Sequence, residues 1–243
     1  MKCHFLVLSV FIFLCLGITE VQAQQDEGFV RTEDKMRKDL TYGGVIEQTA
    51  PRPKKNLGTH YYDPRWRAGT LELFDGSEAK QVLMKYELRN HQLELVFKGG
   101  DKPRSIRPEL VKRFEWRESA IRQRVFINPK LMQFQMEDKE IKGFMEVLYK
   151  NEYSLYAHHT AEFDEGHYVP IFDIGERDNK WKKDVTLWLE HEGKIYQFPN
   201  RRKRIIELFS RLGKDISDVK FRKFNYKKPD GARSLFRFIH EGY

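Results

Sequence analysis

The sequence predicts an α+β protein that is mainly antiparallel β, with a meander that forms a barrel-like or sandwich sheet and about three short C-terminal helices. Two observations predict this class. Short runs with alternating apolar residues, separated by tight-turn signals, follow one another from residue 58 to residue 199. After residue 200 the apolar spacing changes to that of amphipathic helices.

Residues 1–23 have the pattern of a signal peptide. Lys2 supplies the positive start, an apolar run extends from Phe5 to Leu16, and Val21-Gln22-Ala23 has the form of a cleavage site. The run is shorter than the roughly 20 residues that a membrane-spanning helix needs, and no later segment is long and apolar enough. We therefore expect a secreted protein that is periplasmic or associated with the cell envelope after cleavage near Ala23, with no transmembrane segment in the mature chain.

Cleavage leaves a basic chain without cysteine. The net charge of +8 is unchanged because one lysine and one glutamate leave together, and Cys3 and Cys15 both precede the cleavage site. The mature chain therefore cannot form disulfides, use a catalytic thiolate or bind zinc through cysteine. The positive charge favours an anionic neighbour, while the interspersed charges of both signs are equally typical of a soluble surface.

Residues 24–57 are predicted to form a flexible or loosely packed arm, since they are polar and contain Pro51 and Pro53. Residues 58–199 are predicted to form the β domain. The runs with strand character are Thr70–Phe74, Gln81–Leu88, Gln92–Phe97, Phe114–Trp116, Arg124–Ile127, Phe144–Tyr149, Tyr153–Ala161, Val185–Leu189 and Ile195–Phe198. Asp75-Gly76, Arg89-Asn90 and His191-Glu192-Gly193 supply the turns.

Residues 200–243 are predicted to form a helical part that packs on the β domain. Asn200 is expected to cap a helix over Arg201–Leu212, which Gly213 ends. A second helix is predicted over Asp215–Phe224, and Asp230 is expected to cap a third. Burial of their apolar residues, at roughly 1.5 to 3 kcal/mol for each large side chain, would hold these helices on the sheet.

The order of these motifs resembles an uncharacterised family of exported proteins of Gram-negative bacteria. The resemblance extends from Gly58 to Tyr243 and consists of a Gly-Ser-Pro-Tyr-like start, a GTVxLxDG hairpin, a GFFEVL strand and C-terminal helices. The segments that correspond to the first three motifs are Gly58–Tyr62, Gly69–Gly76 and Gly143–Leu148, and the end matches from Tyr196 to Phe209 and then through the two terminal helices. This chain lacks the Ser-Pro pair of the start, and it carries HHTAEFDEGH where the family usually has lysine-rich residues. The resemblance implies the fold and the exported location, and it implies no activity.

The segment Tyr156–Tyr168 is the densest candidate for a metal site. Its possible ligands are His158, Glu162, Asp164 and His167. Because side chains alternate along a strand, His158 and His159 are expected on opposite faces, and His158 lies about 13 Å from Glu162. A metal would therefore need the loop from Glu162 to His167 and help from another strand.

Other catalytic sites have little support in the sequence. The serines lie outside a Gly-x-Ser-x-Gly turn, and the chain has no glycine-rich phosphate loop. Carboxylates such as Glu146, Glu162 and Asp164 would have to converge in the fold to act as a pair. We predict no cofactor. A metal-dependent hydrolase that uses the region of His158, His159 and His167 is the alternative to a non-catalytic protein.

Two basic clusters near the C terminus form the candidate binding patch. Its residues are Arg201, Arg202, Lys203, Arg204, Arg222, Lys223 and Lys227. Export argues against nucleic acid as the ligand. The patch predicts a binding or structural protein of the cell envelope that contacts an anionic envelope component or another envelope protein, and a merely solvated helix surface is the alternative.

Overall fold

The computed structural model describes residues 54–97, 99, 102–120, 122–131, 141–169 and 174–241, which lie in one compact unit that starts at Lys54. The predicted signal peptide and all of the predicted arm before Lys54 lie outside the described residues. Within the described residues, no helix is both long and apolar enough to cross a membrane.

Eleven strands form the described part of the β structure. They are β1 (Asn56–Leu57), β2 (Arg67–Leu73), β3 (Glu78–Tyr86), β4 (Leu93–Val96), β5 (Arg104–Ile106), β6 (Val111–Ser119), β7 (Arg122–Ile127), β8 (Met145–Tyr149), β9 (Tyr153–Asp164), β10 (Asn179–His191) and β11 (Lys194–Gln197). Each of the nine predicted runs overlaps one of these strands. The short strands β1 and β5 were not predicted, and β1 falls within the residues assigned to the arm.

All eleven strands belong to one sheet. Its order is β1-β10-β9-β8-β7-β6-β2-β3-β4-β5, with β11 paired to β10. The pairs are antiparallel except for β1 and β10, so the sheet is mixed. The predicted barrel-like closure or two-sheet sandwich is not what forms, because the sheet stays open and its strands do not divide between two sheets.

The open sheet nevertheless curls. The ring of His91, in the turn after β3, stacks on the ring of His158 in β9 at 5.3 Å between centroids, although four strands separate β3 from β9 in the sheet. The segment after β1 also links distant strands, since Leu57 pairs with β10 and Tyr61 forms a bridge to Glu87 just beyond β3.

Two α-helices follow the sheet, α1 (Arg202–Arg211) and α2 (Pro229–Glu241). The predicted helix over Asp215–Phe224 is wrong: this segment consists of turns and one short 3-10 helix, Phe221–Lys223. The Asp215 carboxylate accepts a hydrogen bond from the Ser217 backbone N–H at 2.9 Å, which is a local turn contact that competes with helix formation. Its apolar residues Ile216 and Phe221 are still buried in the core that the helices share with the sheet.

The ends of α1 are only partly as predicted. Gly213 ends the helix with a φ of +81°, a conformation that glycine adopts without strain. At the other end Arg201, rather than Asn200, is the N-cap residue, and no side chain caps the helix.

One face of the sheet carries the core. A row of paired residues crosses six strands on this face: Leu71, Phe114, Phe126, Glu146, Ala157 and Leu187. All six are buried. The helices cover the Leu187 end, where one apolar cluster forms, and the other apolar cluster surrounds Leu71 and Phe126. A carboxylate therefore interrupts a continuous apolar row between the two clusters.

Candidate functional site

The site begins with Glu146, which has no exposed surface and lies in the middle of the apolar row. Isolating a carboxylate in such surroundings costs many kcal/mol unless donors replace its lost water. Strand β8 places it there because neighbouring strands align Phe126 and Ala157 on either side of it. The surrounding elements must therefore supply hydrogen-bond donors.

Four side chains donate to this carboxylate. Oε1 accepts from Nη1 of Arg124 and, at 3.3 Å, from Nη2 of Arg233. Oε2 accepts from Nε2 of His159 at 2.8 Å and from the hydroxyl of Tyr62 at 3.2 Å. Because a carboxylate offers about four lone-pair positions, the oxygens of Glu146 are saturated. This group is called the Glu146 cluster below.

The electrostatics of the cluster keep Glu146 charged. Burial alone would raise its pKa, but the hydrogen bond from His159 and the charge of Arg124 lower the pKa of Glu146 to about 2. Burial and the charge of Glu146 raise the pKa of Tyr62 above its usual value, so its hydroxyl stays protonated and donates. Since the carboxylate can only accept, Nε2 of His159 carries the proton, and Nδ1 is left facing away from Glu146.

A second set of ion pairs ties helix α2 to the cluster. Nε of Arg124 pairs with Glu118 at 3.0 Å, and Arg122 pairs with both Glu118 and Asp230 of α2. Arg233, one turn further along α2, also donates to the Leu148 backbone carbonyl at 2.9 Å. The cluster thus fastens α2 to strands β6, β7 and β8.

A cavity of about 470 Å³ opens beside the cluster. Four members of the Glu146 cluster form its inner wall, and the turn before α2 and the first residues of that helix form its outer wall. The lining residues are Tyr62, Arg124, Glu146, His159, Val185, Asn225, Lys228, Pro229, Asp230 and Gly231.

The structure does not bring the predicted metal ligands together as a site. His158 bonds the Lys142 backbone carbonyl at 2.8 Å, Asp164 pairs with Lys182 at 2.6 Å, and Glu162 and His167 are exposed. Across the part of the chain that the structure describes, no three or more histidine, aspartate or glutamate side chains are grouped to hold a metal ion. His159 is on the opposite face from His158, as alternation predicted, because Ala157 and Ala161 on its face belong to the two apolar clusters.

His158 is instead part of a histidine pair. Nδ1 of His91 lies 2.9 Å from the Tyr86 hydroxyl, and the His91 ring stacks on His158. Burial, followed by the charges of His158 and Lys142, lowers the pKa of His91 to about 4. Burial also lowers the pKa of His158. Both rings are therefore neutral at pH 7 in the folded protein.

The predicted basic patch forms one neighbourhood at the surface. The guanidinium carbon of Arg202 lies 5.6 Å from the centroid of the Phe221 ring, next to Arg222. Arg204 and Lys227 line a second cavity of about 500 Å³ together with Asn200. The two basic clusters, which are separate in the sequence, therefore adjoin in the fold, and all seven side chains are exposed.

Most of the Glu146 cluster was not predicted as a site. Arg124, Arg233 and Tyr62 come from different parts of the chain and carry no motif. A usable signal does exist in β8, since Glu146 is the only charged residue in the apolar run Phe144–Tyr149. An acid inside a buried strand requires partners, but the sequence does not say which residues they are.

Comparison with known proteins found no matching family model, no similar curated protein and no similar solved structure. The resemblance to the exported family therefore stays a prediction, and any function has to be inferred from the residues described above.

Proposed function

We propose that this chain is an exported, non-catalytic binding or structural protein of the bacterial cell envelope. Its basic patch would contact an anionic component of the envelope, such as phosphate-bearing lipid headgroups, through the start of α1 and the segment around Arg222 to Lys227. The observation that carries the proposal is the contrast in ion pairing between this patch and the arginines of the interior.

The cations of the patch have almost no acidic partners. Of the seven patch cations, Lys203 is the only one that forms an ion pair with another described residue, and this pair, with Glu207 at 3.9 Å, has both side chains exposed. An exposed pair of this kind contributes little. The patch therefore presents its charge to the solvent and to any anionic surface.

The start of α1 adds to this positive field. Its first turn contains no acidic residue, and its free N–H groups lack a side-chain cap. A helix N terminus already carries a partial positive charge, so placing Arg201 to Arg204 there opposes the helix dipole. An anionic ligand would interact favourably with the helix dipole and would reduce the repulsion between the cations.

Saturation of Glu146 supports a non-catalytic role. A general base needs a free lone pair directed at the substrate. Each oxygen of Glu146 already accepts from two donors, and these partners lie on two strands, β7 and β9, on the segment before β2 and on α2. This arrangement is typical of a buried ion network that stabilises the fold.

Cosedimentation with vesicles of phosphatidylglycerol and phosphatidylcholine tests the proposal. We expect the protein to bind the anionic vesicles and to lose that binding when Arg201, Arg202, Lys203 and Arg204 are changed to glutamate. The matched control changes four exposed cations near β5 and the start of β3 to glutamate, and it should keep the binding. The control residues are Lys80, Lys102, Arg104 and Arg107. Unchanged binding in the first variant, with both variants folded by circular dichroism, would overturn the proposal.

The alternative of a metal-dependent hydrolase has a separate test. Elemental analysis of protein purified without a histidine tag measures bound metal directly. One equivalent of zinc that disappears in a His167→Asn variant would favour the hydrolase, and absence of stoichiometric metal would remove it.

A further inference from the structure

We propose that the cavity beside the Glu146 cluster is a binding site for a small organic acid, a single carboxylate on an apolar body. This site is separate from the basic patch and does not depend on it. The volume of about 470 Å³ is in the range of small-molecule sites, which are mostly apolar with a few placed polar groups.

Hydrogen-bond donors for a carboxylate lie at the inner end of the cavity. Arg124 is only 7% exposed, and Nη1 and Nε serve Glu146 and Glu118. Among the described residues, Nη2 of Arg124 has no hydrogen-bond partner. Nη2 is not fully buried, and Arg124 lines the cavity, so we infer that Nη2 is the donor for the ligand carboxylate. Charge-assisted bonds from a guanidinium to a carboxylate are among the stronger hydrogen bonds in proteins.

His159 offers a second polar contact. His159 is 8% exposed and lines the cavity, and its Nε2 donates a hydrogen bond to Glu146 at 2.8 Å. Glu146 thus fixes the ring orientation and leaves Nδ1 without a partner among the described residues. Because Nε2 donates to Glu146, Nδ1 is the ring atom that remains for a ligand or for a bridging water.

The outer wall completes the donor set. Lys228 lines the cavity and forms no ion pair within the described residues. The turn that carries it is pressed against the start of α2, since a Cβ atom at Gly231 would lie 2.2 Å from the Asn225 carbonyl oxygen. Only glycine allows this approach, which holds Lys228 and Asn225 at the cavity.

The acidic groups around the cavity are already neutralised. Glu146 is surrounded by its four donors, and Asp230 at the rim pairs with Arg122. Arg124, Arg233, Arg122 and Lys228 together exceed Glu118, Glu146 and Asp230 by one positive charge. The cavity therefore favours one negative charge rather than two. The remaining wall is apolar and consists of the Tyr62 ring, Val185 and Pro229.

Titration with benzoate, followed by NMR of the His159 imidazole, tests this site. Benzamide serves as the neutral analogue of the same shape, and inorganic phosphate as an anion without an apolar body. We expect a saturable shift of the His159 resonance with benzoate in the millimolar range, and a much smaller response to benzamide and phosphate.

Two neighbouring lysines provide a matched pair of variants. Lys228→Gln should weaken benzoate binding by about fivefold, because it removes one exposed charge from the cavity. Lys227→Gln removes the adjacent charge, which lines the other cavity, and should leave the affinity unchanged. Absence of a saturable benzoate shift, equal binding of benzamide or phosphate, or equal losses in the two variants would overturn the proposal.

Discussion

The interior arginines and the cations of the basic patch differ in their partners. Arg124 and Arg233 pair with Glu146 between the two apolar clusters, and Arg122 pairs with Glu118 and Asp230 beside them. In the patch, Lys203 alone has an acidic partner among the described residues. Both regions are rich in positive charge, but the charges of the interior arginines are paired with carboxylates, whereas those of the basic patch face the solvent.

Because of this difference, we expect the interior network to affect the stability of the fold and the basic patch to affect binding. A buried ion network costs desolvation energy, so removing one member leaves a charge that nothing compensates. Exposed cations keep their water and contribute almost nothing to the free energy of unfolding, but they remain available to an anionic surface. Substitutions in the two regions should therefore change different measurements.

The largest effect is expected for Glu146→Gln. It removes the fully buried negative charge that accepts hydrogen bonds from both Arg124 and Arg233, and it should lower the free energy of unfolding by about 3 kcal/mol or more, as measured in urea at neutral pH. Glu207→Gln at the exposed pair with Lys203 is the control and should change stability by less than about 0.5 kcal/mol. Similar losses in the two variants would contradict the assignment of Glu146 as the centre of a buried network.

An intermediate effect is expected from pH at the histidine pair. The folded pKa of His91 is lowered to about 4, whereas an unfolded histidine titrates near 6.5. The unfolded chain therefore takes up a proton first, and stability that is full above pH 6.5 is lost as the pH falls toward 4. Solvent screening of a half-buried ring reduces the loss to about 1 kcal/mol between pH 7 and pH 5.

A variant isolates this contribution. His91→Asn removes the titrating ring and suits the φ of +56° at this position, because asparagine tolerates the left-handed region. Urea unfolding of this variant should show a smaller loss of stability between pH 7 and pH 5. The exposed His167, changed to asparagine, is the matched control and should leave the loss as in the wild type. If His91→Asn has the same pH dependence as the wild type, the buried pair is not its source.

The smallest effect on stability is expected in the basic patch. Arg201→Gln and Arg204→Gln should each change the free energy of unfolding by less than about 0.5 kcal/mol. Each should nevertheless weaken binding to anionic vesicles by about fivefold, since a charge near such a surface contributes about 1 kcal/mol. Arg104→Gln near the far edge of the sheet is the control for binding. A large loss of stability in either patch variant would place that arginine in the structural network instead.

Much of the fold follows from local pattern. The nine runs of alternating residues correspond to nine strands, and the turn at His191-Glu192-Gly193 forms where it was predicted, with positive φ at Glu192 and Gly193. The middle helix was wrong because its apolar spacing is also satisfied by turns that bury Ile216 and Phe221 separately. Periodicity identifies which residues are buried more reliably than it identifies the backbone conformation that buries them.

The two candidate sites also differ in how far the sequence alone could predict them. The basic patch could be named from the sequence because the members of each of its two clusters are close along the chain. The Glu146 cluster could not, since Tyr62, Arg124, His159 and Arg233 meet only after strand register and helix docking are set.

The sequence by itself determined the strands, their turns, the basic charge and the opposite faces of His158 and His159. These properties depend on neighbouring residues, whose side chains alternate regardless of the rest of the fold. The tertiary structure decided that the sheet stays open, that Glu146 stands in the apolar row and that a cavity lies beside it. Those outcomes depend on which strands pair and where α2 docks, and long-range contacts of this kind are not encoded in any local pattern.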